Sequence, residues 1–384
     1  MPPSHPSKLS HPLIAYKPIS LLFQLFKITT ILTRLPVWVI RSLIPALRPY
    51  RSWTFKQAFA RQLTINVLDI STSISITAPL PLTPGKEGAR WATIEPFTDE
   101  LYVGPLVSNV VRPAKIGGTW YGIDAAPSTA EQAANWKRVS LHIHGGAFVV
   151  GDGRSADTGF LANNLTKHAK FEAVFAPQYR LAGYDGRDPF PAALQDALTS
   201  YLYLTRTLGV KPENITLSGD SAGGNLALTL LRYLERFGGQ INAPKPGHVV
   251  VISPWVQPSA SIGTDYSKWD LFKTDILPMS FIRWGARAYM KQAENVSEGS
   301  EWIDPLGHPF KTDTPVFLSY ASREILSVDC AQWAKEWEGA GNTALRQHIE
   351  KDAPHDCLLI GNMTGWENTA EETGQQIAKW LDEN

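Results

Sequence analysis

The strongest constraint in this sequence is an alternation. Short apolar runs at Val139–Ile143, Ala173–Phe175, Ile215–Ser218, Val249–Ile252 and Val316–Ser319 have the length and composition of buried strands. Between them lie stretches with helical spacing at Asp157–Lys170, Pro191–Leu208, Asn225–Phe237 and Ser327–Gly339. In Asn225–Phe237, Leu226, Leu230 and Leu234 recur every four residues, while Arg232, Glu235 and Arg236 fall on the other side. Strands that alternate with helices pair in parallel, and the helices then cover both faces of the sheet. The expected class is α/β, with a mostly parallel central sheet, and 384 residues are ample for one such unit. Residues 55–115 and about 260–305 lack the rhythm and are rich in Trp, Phe and Tyr. They are expected to form a cap over a site.

The first fifty residues read differently. Residues 1–12 are rich in Pro, Ser and His and suggest a disordered leader. From Ile19 to Leu47 the chain is apolar, interrupted at a spacing of seven by Lys27, Arg34, Arg41 and Arg48. On a helix this spacing makes a basic stripe against an apolar body. No run of eighteen residues is free of charge, and Pro36 and Pro45 are expected to break any single long helix. Three readings follow: an in-plane amphipathic helix, a single-pass anchor with snorkelling Lys27 or Arg34, or an arm packed on the body. Membrane association is favoured over the packed arm. A cleaved signal peptide fits less well, because the apolar stretch starts late and lacks a clear cleavage site. The expected division is therefore 1–50, a leader and membrane-associating segment, and 51–384, the α/β body with its cap. Asn-x-Ser/Thr tripeptides occur at Asn164, Asn214, Asn295 and Asn362. Asn214 opens an expected buried strand, which argues against its use as an acceptor.

Lys and Arg number 36 and Asp and Glu number 36, so nothing in the charge points to a nucleic-acid partner. Two cysteines, Cys330 and Cys357, make no disulfide framework.

Gly219-Asp220-Ser221-Ala222-Gly223 sits between the strand Ile215–Ser218 and a helix expected to begin near Gly224. This context suits a nucleophile elbow: Ser221 is held in a strained turn, and the flanking positions must lack bulk. The helix N-terminus then points free N–H groups at the reacting centre. His142-Ile143-His144-Gly145-Gly146-Ala147-Phe148 follows the strand Val139–Ile143. Its Gly-Gly turn lets backbone approach a substrate, so oxyanion donors are expected from Gly145, Gly146 and Ala147, together with Ala222. His144 is expected to hold this loop by hydrogen bonding rather than to act as a base. His142 and His144 alternate without a third ligand nearby, so no metal is expected.

His144-Gly-Gly-Ala147 with Gly219-Asp-Ser-Ala-Gly-Gly224 resembles the hormone-sensitive-lipase family of α/β hydrolases, which includes microbial esterases and membrane-anchored arylacetamide deacetylases. Tyr179-Arg-Leu-Ala182 is similar to the family's Y-R-L-A-P loop, Phe190–Ala197 to its F-P-A-A-x-x-D-A helix start, and Ser253-Pro-Trp255 to the segment after the next strand. The likeness covers roughly residues 90–380. The sequence departs from the pattern at Ala147, where many members have a third glycine, and at Gly183, where a proline is usual. Ala147 is expected to leave the oxyanion hole intact and to tighten the pocket.

The family's chain order of serine, acid and histidine selects His355, on a loop after the expected strand Leu345–Ile349. His348 and His308 are weaker rivals: one lies within a strand, the other precedes the acid. Glu324-Ile-Leu aligns with the family's D-P-L, so the resemblance implies Glu324 as the partner of His355. Asp329 is the rival acid, read instead as supporting a helix capped by Ser327. Asp220 and Asp356 are read as local hydrogen-bonding residues. The resemblance implies a serine hydrolase of short- or medium-acyl esters, acetyl esters of hydrophobic alcohols included, that needs no cofactor. It also implies an enzyme associated with a membrane, the endoplasmic reticulum in particular. An arylacetamide amidase is the nearest alternative. A non-catalytic ligand receptor on the same fold is a further one, disfavoured because Ser221, Glu324 and His355 are all present.

Overall fold

The computed structural model describes residues 13–75, 77–78, 80–183, 187–291 and 296–384; the Pro/Ser/His leader and Asn295 lie outside them. Eight strands form one sheet: β1 (Trp91–Ile94), β2 (Ile116–Tyr121), β3 (Val139–Ile143), β4 (Ala173–Gln178), β5 (Ile215–Asp220), β6 (His248–Ile252), β7 (Val316–Ala321) and β8 (Leu345–Glu350). Their order is β1-β2-β4-β3-β5-β6-β7-β8. Pairs β1–β2 and β2–β4 are antiparallel, and all pairs from β4 to β8 are parallel.

Eleven α-helices are described: α1 (Ile19–Leu43), α2 (Phe55–Ile74), α3 (Ala130–Ala133), α4 (Gly159–Lys167), α5 (Ala192–Leu202), α6 (Ser221–Ile241), α7 (Ala260–Gly263), α8 (Met279–Met290), α9 (Ser327–Gly339), α10 (Cys357–Thr364) and α11 (Glu367–Glu383). The strands bury both faces, as the apolar runs require. Along β6, Val249 and Val251 face one cluster with Leu226, Leu230 and Leu234 of α6. Val250 and Ile252 face the other, with Leu161 of α4 and Ile377 and Trp380 of α11. The strand period of two thus divides helices between the two layers.

The cap reading needs revision. Of residues 55–115, α2 lies over the C-terminal ends of the strands, but Trp91–Ile94 joins the sheet as its edge strand. From the second segment, α8 packs on α2, where Ser280 Oγ lies 2.8 Å from Asp69 Oδ1 and 2.7 Å from Thr72 Oγ1.

α1 runs unbroken through Pro36, contrary to expectation. A proline deletes one N–H and therefore one bond to the preceding turn, while a 25-residue helix keeps the turns on either side. Pro45 does mark its end: Ile44 turns extended at φ −90° and ψ 110°. Leu22, Leu25, Phe26 and Leu32 of α1 are exposed, and the helix is long and apolar enough to cross a membrane. Its face toward the body rests on α2, pinned by Lys27 and Asp69 at 3.0 Å. The body begins slightly before residue 51. Arg323 donates to the Tyr50 hydroxyl at 2.6 Å, and its guanidinium lies 3.9 Å from that ring. Trp53 donates its indole N–H to the Asp352 carbonyl at 2.6 Å.

Asn164 is buried and donates its amide to Phe160, and Asn214 donates to the Trp136 carbonyl at 2.8 Å. Neither side chain is free in the folded chain to serve as an acceptor. Asn362 is exposed on α10.

Candidate active site

The sheet brings the sequence-selected residues to one end of its strands. Ser221 follows β5, the His144–Phe148 loop follows β3, Glu324 follows β7 and His355 follows β8. Crevices beyond the carboxyl ends of parallel strands are where such folds bind ligands.

Ser221 is the first residue of α6, three positions earlier than the sequence suggested, with φ at 49°. A non-glycine residue held in this left-handed region stores strain, on the order of 1–3 kcal/mol. The neighbours must be glycine for a concrete reason. A Cβ on Gly223 would strike the Ile143 carbonyl, and one on Gly219 would strike the Gly223 backbone. The elbow is thereby wedged against β3.

The His355 Nδ1 lies 2.6 Å from Glu324 Oε2, and both side chains are buried. The Ala321 N–H donates to Glu324 Oε1 at 3.1 Å, which fixes the carboxylate. Burial disfavours a charged His355 ring, but the Glu324 carboxylate, its hydrogen bond, and the charges of Asp275 and Asp220 outweigh it and raise the pKa above the usual histidine value. Ser221 and His355 line one cavity of about 490 Å³, together with His144, Gly145, Gly146 and Asp220. Its far wall is α2, whose Ala60, Leu63, Thr64, Val67, Leu68 and Ser71 form a single helical stripe toward it.

The oxyanion loop needs one correction. The Gly145 N–H is already bound by both Asp220 carboxylate oxygens at 2.9 Å, so it has no bond left for an oxyanion. Among the described residues no protein acceptor is seen for the N–H groups of Gly146, Ala147 and Ala222. A Cβ at Gly145 would collide with the same Asp220 carboxylate. Gly146 has φ at 101°, and Ala147 and Phe148 follow at 51° and 64°, so the loop turns its backbone sharply. Ala147 does not narrow the cavity as expected; its methyl abuts Gly285 of α8 instead.

His144 holds the loop, as read from the sequence. Its Nδ1 lies 2.8 Å from the Gly145 carbonyl, its ring stacks on Tyr179 at 4.1 Å, and Tyr179 donates to the His144 carbonyl. His142 lies between Ser218 at 2.9 Å and Asp220 at 3.1 Å. Burial opposes the Asp220 charge, yet hydrogen bonding and charge from His142 hold its pKa below the usual value. Asp356 is buried beside it, and burial together with the Asp220 charge pushes its pKa well up. The described residues contain no group of three His, Cys, Asp or Glu placed to hold a metal ion.

The rivals lie elsewhere. His348 is within β8, and His308 sits by the Gly299 carbonyl at 2.7 Å. Asp329 lies in the first turn of α9, where burial and Asp304 raise its pKa to about 6. Ser327 is the first helical residue rather than the cap, and its hydroxyl bonds back to the Glu324 carbonyl at 2.8 Å.

Sequence reasoning missed Asp275. It is buried in the loop before α8, and its carboxylate receives three backbone N–H groups. Ile276 at 2.7 Å and His355 at 3.3 Å donate to Oδ1, and Ile325 at 2.7 Å donates to Oδ2. Asp275 thus ties the loop carrying Glu324 to the loop carrying His355. Arg61 of α2 holds the same segment from outside, donating to the carbonyls of Asp275 at 2.8 Å and Phe272 at 2.6 Å. Nothing in the local pattern marks Asp275; its one signal is an acid ahead of the apolar Ile276-Leu277.

A family model described as the alpha/beta hydrolase fold matches residues 140–359. The chain belongs to the α/β-hydrolase family. It is 39% identical over 231 residues to Esterase LipU of Mycobacterium tuberculosis, covering 59% of this chain and 72% of that one. It is 29% identical over 251 residues to Steryl acetyl hydrolase 1 of Saccharomyces cerevisiae, covering 60% and 57%. Within the family these and other relatives, a hormone-sensitive lipase of Mus musculus included, place it in the hormone-sensitive-lipase-like group. The chain spans 63% of the length of another curated relative and 52% of a third. The solved structure of an esterase from the bacterial hormone-sensitive lipase family aligns over 91% of this chain and 98% of its own, with a TM-score of 0.57 at 20% identity. That likeness speaks to the fold.

Proposed function

We propose that this chain is a serine carboxylesterase acting on short- or medium-acyl esters of hydrophobic alcohols. Ser221 attacks the ester carbonyl while His355 takes its proton, and Glu324 stabilises the imidazolium so formed. The carbonyl oxygen becomes an oxyanion facing the N–H groups of Gly146, Ala147 and Ala222. His355 then gives the proton to the departing alkoxide, leaving an acyl group on Ser221. Water enters, loses a proton to His355 and attacks the acyl carbon; the acid departs and Ser221 recovers its proton.

The observation that carries this reading is the buried Glu324–His355 pair at 2.6 Å, whose histidine lines the same cavity as a serine strained at the tip of its strand. Names such as esterase and steryl acetyl hydrolase among the relatives favour esters, and the apolar wall of α2 favours a hydrophobic alcohol. The exposed apolar α1 supports a membrane-associated enzyme, and the compartment we assign is the endoplasmic reticulum, to be checked by imaging a fluorescent fusion.

The test is steady-state hydrolysis of p-nitrophenyl acetate, butyrate and octanoate by the full chain in mild detergent, beside Ser221→Ala. Turnover that disappears in the variant is expected. Turnover that survives it would refute the assignment of the nucleophile.

A further inference from the structure

α2 has an order around its circumference. At 100° per residue, Asn66 and Ile70 face α1, Leu63 and Val67 come next, and Ala60, Thr64 and Ser71 face the catalytic cavity. The intermediate strip is apolar and faces outward. Leu63 is 36% exposed and Val67 is 48% exposed. Leu63 and Val67 also line the cavity, so this strip is its rim. Across the mouth, Met363 at the end of α10 is 65% exposed, and Ile360 beside it is half-buried. The exposed apolar face of α1, the ridge of α2 and the far lip of the mouth therefore adjoin one another.

The charge distribution has the same polarity. Residues 1–74 carry nine Lys or Arg against one acid, Asp69, although the chain as a whole is neutral. Arg34 and Arg41 are exposed on α1, which has no acidic residue. A basic, apolar surface of this kind complements anionic headgroups over acyl chains.

We infer that the cavity mouth opens onto the lipid surface itself, so that apolar esters enter the site from the membrane and pass over the α2 ridge to Ser221. This deepens the esterase reading and rests on it. It assigns α2 a second role: one face walls the catalytic cavity and the adjacent ridge meets lipid.

The experiment uses the full chain bound to vesicles of phosphatidylcholine and phosphatidylserine. A fluorophore is attached in turn at Leu25→Cys on α1, Met363→Cys at the far lip and Glu131→Cys on α3. The last is exposed on the β2–β3 connection, at the opposite end of the strands from the site. Native Cys330 and Cys357 are buried and stay unlabelled. Nitroxide-bearing lipids are expected to quench the labels at 25 and 363 and to spare that at 131. Quenching at 25 without quenching at 363 overturns the inference while leaving an anchored esterase. Quenching at neither overturns the membrane association too, with p-nitrophenyl acetate turnover still reporting separately on the chemistry. As a second measurement, R34E/R41E is expected to raise by about tenfold or more the lipid concentration giving half-maximal hydrolysis of a vesicle-dissolved ester. Its turnover of soluble p-nitrophenyl acetate is expected to stay unchanged. An unchanged lipid dependence would contradict the charge argument.

Discussion

Asp275→Asn separates clamping from electrostatics at His355, the proposed general base. The substitution keeps shape, removes one negative charge and turns one acceptor oxygen into a donor. The native carboxylate accepts from Ile276, His355 and Ile325, so an amide can satisfy the Oδ1 pair or the single Oδ2 bond, not all three. Hydrogen bonds to charged groups contribute roughly 1.5–3 kcal/mol each, so loss of one and weakening of the others costs about 3 kcal/mol. That loss lowers Tm by several degrees.

The catalytic effect is distinct. Asp275 is one of the charges that raise the His355 pKa, and its own pKa, pushed to about 6 by burial, leaves it ionised at pH 8. Two charges about 6 Å apart at an effective dielectric of about 20 interact by about 3 kcal/mol. The imidazolium formed in the transition state loses support of that order, so kcat at pH 8 is expected to fall roughly 10- to 100-fold. The acid limb of kcat/KM, which reports His355 in the free enzyme, is expected to move to lower pH, because removing a nearby negative charge makes the ring easier to deprotonate. The assays are pH–rate profiles with p-nitrophenyl butyrate and a melting curve. A lowered Tm with kcat and the acid limb unmoved would show that Asp275 only braces the two loops.

Other outcomes follow from the same geometry. Glu324→Gln is expected to cut kcat by about 10³–10⁴ with little change in KM, since it loses the charge that orients and stabilises His355; a fall below tenfold would point to another acid. Gly145→Ala drives a methyl into the Asp220 carboxylate and is expected to lower kcat at least about 100-fold by displacing the oxyanion donors, read by single-turnover kinetics. Glu350 is buried, with Oε2 lacking a partner, and burial raises its pKa from 4.5 to about 7. Between those values the folded state holds a proton that the unfolded state has lost, so stability falls as pH rises through that window. Glu350→Gln, which mimics the protonated form, is expected to raise stability at pH 8 by up to about 3 kcal/mol and leave it unchanged near pH 4. Denaturant titration at both pH values checks this.

The parallel half of the sheet was legible because strands buried on both faces must be continuously apolar. β3 spans the same residues that the apolar run marks, Val139–Ile143. The antiparallel edge was not legible. Its β2 reads Ile-Gly-Gly-Thr-Trp-Tyr, and the glycines hide the strand pattern. Both are needed there: a Cβ on Gly117 would enter the Trp91 ring, and one on Gly118 the Phe175 ring. Ser221 announced itself through its flanking glycines, whereas Glu324 was reachable only by family resemblance, since its loop has no local signature. Asp275 and Arg61 escaped because their roles are set by contacts spanning 80 and 214 residues of chain. The engagement of Gly145 was hidden for a related reason: the carboxylate that occupies it lies 75 residues away.

The attachment of Tyr50 and Trp53 to the loop before His355 bears on how a water-soluble form of this protein should be cut. Removing residues 1–50 discards the ring that Arg323 stacks on, beside the Asp352 carbonyl that Trp53 holds. Arg48 also reaches forward to the Trp53 carbonyl, while its other bonds run back to Ser42 and Leu43. A chain begun at Pro45, just beyond the apolar helix, keeps Arg48, Tyr50 and Trp53. It sheds the greasy segment without unfastening the histidine loop.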